Sequence, residues 1–209
     1  MKIKKRYKLL IIIIIALFII SFIYLKFYRS HEYYVSIGDY LSVSEINGAI
    51  SKNYNDIFHD KNKIKQIKFY NEYLNSSKLL SMLESDYKNI SYYLKNSKYI
   101  IINVGNYELN SYKNLNEENI IDYLNNMHNV LYKVRKISNS KIFIINLYNR
   151  SNKFELVNKK LFDYSKKYDL KYIDLNKLEF DKYYVICDKY YLNSKGMNKI
   201  GNFLLKNCW

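Results

Sequence analysis

The chain has 209 residues, a net charge of +15, 25 tyrosines and no proline. After an N-terminal segment, that length suits one domain with a sizeable core, and 5 glycines leave no flexible linker for a second domain. The charge does not mark a nucleic-acid partner. Seven of the 34 basic residues lie at or before Arg29, and from Ser30 onward 27 scattered basic residues face 19 acidic ones without forming a stripe. Such a lysine-rich surface is compatible with attraction to anionic polymers or lipid headgroups.

Residues 1–8 form a basic tail with Lys2, Lys4, Lys5, Arg6 and Lys8. Residues 9–25 follow as an apolar run containing five consecutive isoleucines, Ile11 to Ile15, with Ser21 as its polar interruption. At about 1.5 Å per residue this run is roughly 26 Å long as a helix, close to a hydrocarbon core. The sequence predicts a transmembrane signal-anchor helix in contact with membrane lipid. The basic tail would stay in the cytoplasm and the rest would lie outside the plasma membrane. Tyr24-Leu25-Lys26-Phe27-Tyr28 lacks the small residues of a signal-peptidase site, so an uncleaved anchor is expected. Residues 26–32 read as a short stalk and 33–209 as the outer domain. Cys187 and Cys208 would then lie where a disulfide can persist, but a final helix over 193–206 allows a bond between them only if the chain doubles back, and free or mispaired thiols are expected.

Strand-like and helix-like stretches alternate through that domain. Tyr33 to Ile37, Ile64 to Tyr70, Tyr99 to Val104, Lys141 to Tyr148 and Leu170 to Leu175 read as strands, the second only weakly. Helical periods run through Ser77 to Leu94, Glu117 to Ile137, Phe154 to Tyr168 and a last segment from Ser194. Continuous apolar strands suit a sheet buried on both faces. The alternation predicts a three-layer α/β/α sandwich around a parallel, flavodoxin-like five-stranded sheet, preceded by the membrane helix. In such sheets the crevice lies beyond the carboxyl ends of the strands, where Gly38-Asp39-Tyr40, Asn71, Gly105-Asn106-Tyr107 and Asn149 fall.

Three of these places carry motifs. Gly38-Asp39-Tyr40-Leu41-Ser42 follows the first strand, Gly105-Asn106-Tyr107-Glu108-Leu109 follows the third, and Asp188-Lys189-Tyr190-Tyr191-Leu192-Asn193 precedes the last helix. Their order and placement resemble the signature blocks of the SGNH/GDSL hydrolase family over roughly residues 34–205. A fainter block, 71–80, resembles the segment around that family's oxyanion glycine, with Asn75 or Ser76 at the glycine position. The resemblance implies a serine nucleophile, two oxyanion donors and a histidine base. Tyr40, Ser76, Tyr107 and Tyr191 occupy those four positions, while Asp188 matches the family's aspartate.

Acyl transfer needs a hydroxyl activated by a neighbouring base and donors aimed at the oxyanion. A phenol with a pKa near 10 and no imidazole beside it supplies neither. Asp188 would have no histidine to orient. His31 lies in the stalk, and His59 and His128 fall in helical stretches away from the crevice. The expectation is therefore a domain without esterase activity and with no cofactor or metal. Asp39, Tyr40, Gly105, Asn106, Tyr107 and Tyr191 are its candidate ligand-binding residues.

Its surroundings, by resemblance, are those of a bacterial cell envelope, with an envelope polymer or a protein as partner. Two alternatives stand beside this reading. One is an esterase or acyltransferase acting on acylated envelope glycans or lipids through an unconventional nucleophile such as Ser42. The other is a structural envelope protein with no ligand, in which tyrosines simply fill a vacated crevice.

Overall fold

The structure is a computed structural model, and it describes residues 11–23, 33–42, 45–46, 49–50, 52–71, 73–85, 87–112, 115–148, 154–178 and 193–208. Asp188, Tyr191, Asn149 and Cys187 lie outside the described residues.

Helix α1 covers residues 11–23. The domain after α1 begins with β1 (Tyr33–Gly38), a 3-10 turn at Tyr40–Ser42 and a two-strand ladder, β2 (Glu45–Ile46) with β3 (Ala49–Ile50). There follow α2 (Tyr54–Asn62), β4 (Lys65–Tyr70), α3 (Ser76–Ser85), α4 (Tyr87–Lys95) and β5 (Ser97–Asn103). After α5 (Asn106–Ser111) come α6 (Glu117–Ile137), β6 (Lys141–Ile145), α7 (Glu155–Lys167), β7 (Lys171–Ile173) and α8 (Ser194–Cys208).

The five long strands are parallel and ordered β4-β1-β5-β6-β7. Chain progression reverses between β1 and β5, so their carboxyl ends flank a topological switch point. Alternation along each strand builds two cores. Val35, Ile37, Ile100, Ile102, Ile142 and Ile144 face a core with α3, α4, α6 and α7. Tyr34, Tyr99, Ile101, Phe143, Ile145 and Ile173 face the opposite layer, α2 and α8. Burial on both faces explains why the middle strands read as unbroken apolar runs. α2 and α8 meet closely at Gly201, where a Cβ would lie 2.7 Å from Ile57 Cγ2.

Caps set several boundaries. Asn53 starts α2 and Asn116 starts α6, each accepting from the N3 amide while the N3 side chain accepts in return. The expected helical stretch over 77–94 is covered by α3 and α4, with residue 86 outside the described residues. Leu79, Leu83, Ile90 and Leu94 face the same core. The weakly predicted second strand is a full edge strand, its pattern blurred because β4 is nowhere fully buried. The apolar end of the expected fifth strand turns into a 3-10 segment, Leu175–Leu178. Among the described residues no helix is long and apolar enough to cross a membrane, and α1 is 13 residues long.

Candidate functional site

Three segments converge at the switch point: Gly38-Asp39 after β1, Asn71 to Ser76 after β4, and Val104 to Glu108 after β5. Gly38 N–H belongs to the ladder, and its missing Cβ makes room for Ser42, whose Oγ would lie 1.7 Å from a Cβ built there. Gly105 has φ +118° and lies against the Tyr123 ring, which would come within 2.5 Å of a side chain. Backbone sterics and packing both demand glycine at this position. Tyr123 in turn donates its phenol to Val104 O at 2.8 Å.

Asp39 joins these segments. Its side chain is fully buried. Oδ2 accepts the amides of Gly105 at 2.9 Å and Tyr107 at 3.0 Å, while Oδ1 takes Leu41 N at 3.4 Å. Desolvation pushes its carboxyl up to about 7, against the pull of the backbone donors. Asp39 therefore has its lone pairs committed to the chain itself. At the end of β1 it braces the backbone of residues 105 and 107.

Asn106 is buried and similarly occupied. Its Oδ1 accepts Tyr148 N at 3.2 Å, and its Nδ2 reaches Asn103 Oδ1 at 3.3 Å. Asn103 Nδ2 is buried without a hydrogen-bond partner among the described residues.

Ser42 is fully buried, and its Oγ lies 2.7 Å from Tyr54 OH. Its carbonyl accepts Asn53 Nδ2. Burial pushes the Tyr54 phenol up, so it stays protonated and cannot take the proton of Ser42. Ser42 thus packs over Gly38, buried beside a protonated phenol.

At the amino end of α3, Ser76 donates its amide to Glu108 Oε2 at 2.7 Å and its hydroxyl to Glu108 Oε1 at 2.9 Å. Asn126 Nδ2 donates to Ser76 Oγ at 3.2 Å. Burial, with some repulsion from Asp122, raises the Glu108 pKa. Glu108 was no candidate from sequence alone, because nothing local signals a pairing 32 residues away.

Tyr107 is half-buried, and its ring meets that of Tyr73 edge to face, with centroids 5.2 Å apart. Tyr73 is 56% exposed and was missed as a crevice residue. Tyr40 heads the 3-10 turn, but its side chain is not among those described, and Tyr191 and Asp188 lie outside the described residues. His59 and His128 sit in α2 and α6, His128 with Tyr164 and Tyr168 at ring distances of 5.2 and 5.6 Å. No serine hydroxyl among the described residues bonds a histidine.

No family model and no curated protein matches the chain. Solved structures do. The lipase Lip_vut3 from a goat rumen metagenome is 20% identical with a TM-score of 0.66, covering 83% of this chain and 96% of its own. A protein assigned to the lipolytic G-D-S-L family, from Desulfitobacterium hafniense, is 12% identical with a TM-score of 0.67, covering 84% and 99%. A carbohydrate acetylesterase from Sinorhizobium meliloti is 9% identical with a TM-score of 0.61, covering 84% and 97%. At these identities the likeness is one of fold. With its parallel five-stranded order β4-β1-β5-β6-β7, the domain over residues 33–208 has the SGNH/GDSL-hydrolase fold.

Proposed function

We propose that this chain is a single-pass membrane protein whose outer domain keeps the hydrolase fold without ester hydrolysis. Its role would be that of a ligand-binding or partner module at a bacterial cell envelope. The observation that carries this reading is the engagement of Ser76 by Glu108. The amide at the position matching the family's oxyanion glycine already donates to an internal carboxylate at 2.7 Å. An oxyanion hole works by holding its donors free for charge that develops in the transition state. Tyrosine at positions 40, 107 and 191 adds the loss of nucleophile, second donor and base.

The binding side of the proposal rests on the crevice. Tyr73 and Tyr107 present two aromatic rings that meet edge to face. Structural neighbours are described as lipases and a carbohydrate acetylesterase, so an acylated or glycan polymer is the natural class to test.

The anchor rests on residues 9–25 and on α1, whose large apolar side chains are all exposed, Phe18 by 76%. Lipid would cover such a surface, and water would not tolerate it.

One observation favours an enzyme instead. Ser76 Oγ lies 2.9 Å from a carboxylate that could serve as its base. Ser76 is fully buried, however, so no acyl carbonyl reaches its Oγ.

Hydrolysis of p-nitrophenyl acetate by the full-length chain in detergent tests the reading. The expected rate equals the background and does not change in Tyr40→Phe, Ser42→Ala or Ser76→Ala. Turnover abolished by any of these substitutions would overturn it.

A further inference from the structure

A cavity lies away from the crevice, along the edge strand β7. It encloses about 650 Å³, within the range of small-molecule sites. Its apolar lining comes from Leu147, Phe154, Phe162 of α7 and Phe203 of α8. Tyr172 closes one side, its ring 5.3 Å from that of Phe162 and its hydroxyl donating to Asn158 O at 3.2 Å. The rim carries both signs of charge, from Glu155 and Asp174 on one hand and Lys159 and Lys177 on the other. None of these four forms an ion pair among the described residues.

We infer that this cavity is a carbohydrate site for an uncharged oligosaccharide, separate from the crevice. Pyranose rings pack their C–H faces on aromatic walls and need acceptors and donors together around their hydroxyls. The cavity supplies rings from two helices, carboxylates as acceptors and ammonium groups as donors. An anion would meet Glu155 and Asp174, a cation would meet Lys159 and Lys177, and an alkyl chain would strip water from all four without replacing it. An uncharged polyol is the class that every wall tolerates.

The test is titration of the full-length chain, in a detergent without sugar headgroups, with chitotriose and with cellotriose. Calorimetry reads affinity and saturation-transfer NMR reads contact. Saturable binding of either sugar is expected. Phe162→Ala should weaken it by about tenfold or more, a loss of the size expected for one aromatic contact, and Tyr107→Ala should leave it unchanged. Glu155→Gln and Lys159→Met, both at exposed positions, should each weaken it about threefold and serve as the readout if Phe162→Ala misfolds. Binding of neither sugar, or binding lost in Tyr107→Ala and kept in the rim variants, would overturn the inference. So would tighter binding of inorganic phosphate or laurate at the same residues.

Discussion

A single oxygen of Asp39 bridges to the amide of Gly105 at 2.9 Å, tying the end of β1 to the end of β5 across the switch point. Because that carboxyl is buried and pushed up to about 7, its contribution to stability depends on pH. The folded value lies above the unfolded one near 3.8, so the folded state binds the proton more tightly. Its contribution is complete below the unfolded pKa and is lost as pH rises through about 7. Urea melts from pH 4 to pH 8 should therefore show a decline that Asp39→Asn removes. Asp39→Ala, which strands buried amides, should cost about 2–4 kcal/mol at low pH and less as pH rises through about 7. A wild-type and Asp39→Asn difference that is constant with pH would refute this.

Gly105→Ala should be among the most damaging small substitutions. It combines a left-handed backbone with a Cβ 2.5 Å from the Tyr123 ring. A loss of more than about 3 kcal/mol is expected in chemical unfolding. In the Tyr123→Leu background the steric part should shrink while the backbone part remains.

Ser42→Ala is expected to act on stability and leave hydrolysis untouched. It removes the 2.7 Å partner of Tyr54 OH, a group buried with no exposure to water for replacement. The cost should be about 1–3 kcal/mol. The double variant Ser42→Ala with Tyr54→Phe should recover part of it, which a double-mutant cycle would measure.

Much of the architecture was legible because the strands carry their own signal. Ile100 to Ile102 and Ile142 to Ile145 are apolar in unbroken runs since they are covered on both faces. The crevice was legible as well, because glycine, aspartate and asparagine cluster at strand ends. The commitments of those residues were not. Asp39 reads as a candidate ligand group until its backbone partners at residues 105 and 107 are known, and Ser42 reads as a hydroxyl until Tyr54 is seen above it. Glu108 was legible only as part of its motif and Tyr73 not at all, because their partners come from other segments of the chain. Long-range pairing leaves no period in a sequence.

Glu108→Gln and Glu108→Ala separate the roles of the buried carboxylate. Glutamine keeps one acceptor for Ser76 and should cost less than alanine, which frees both the amide and the hydroxyl. Alanine should cost about 1–3 kcal/mol. Burial raises the Glu108 pKa, so its contribution too is greatest at low pH and falls as pH rises through its folded value. Equal losses in both variants at all pH values would contradict the geometry.

Removal of residues 1–25 should shift the protein from the membrane pellet to the soluble fraction after alkaline carbonate extraction. In intact cells, a membrane-impermeant maleimide should label cysteines of the full-length chain. Labelling only after lysis would reverse the proposed orientation.

Asp39 also bears on how such a domain can change its chemistry. The group that shapes the crevice is distinct from the positions that resemble nucleophile, base and oxyanion donors. Mutations at those positions leave the stitching between the two central loops untouched. The frame of the site can therefore tolerate change at those positions without rebuilding the sheet beneath.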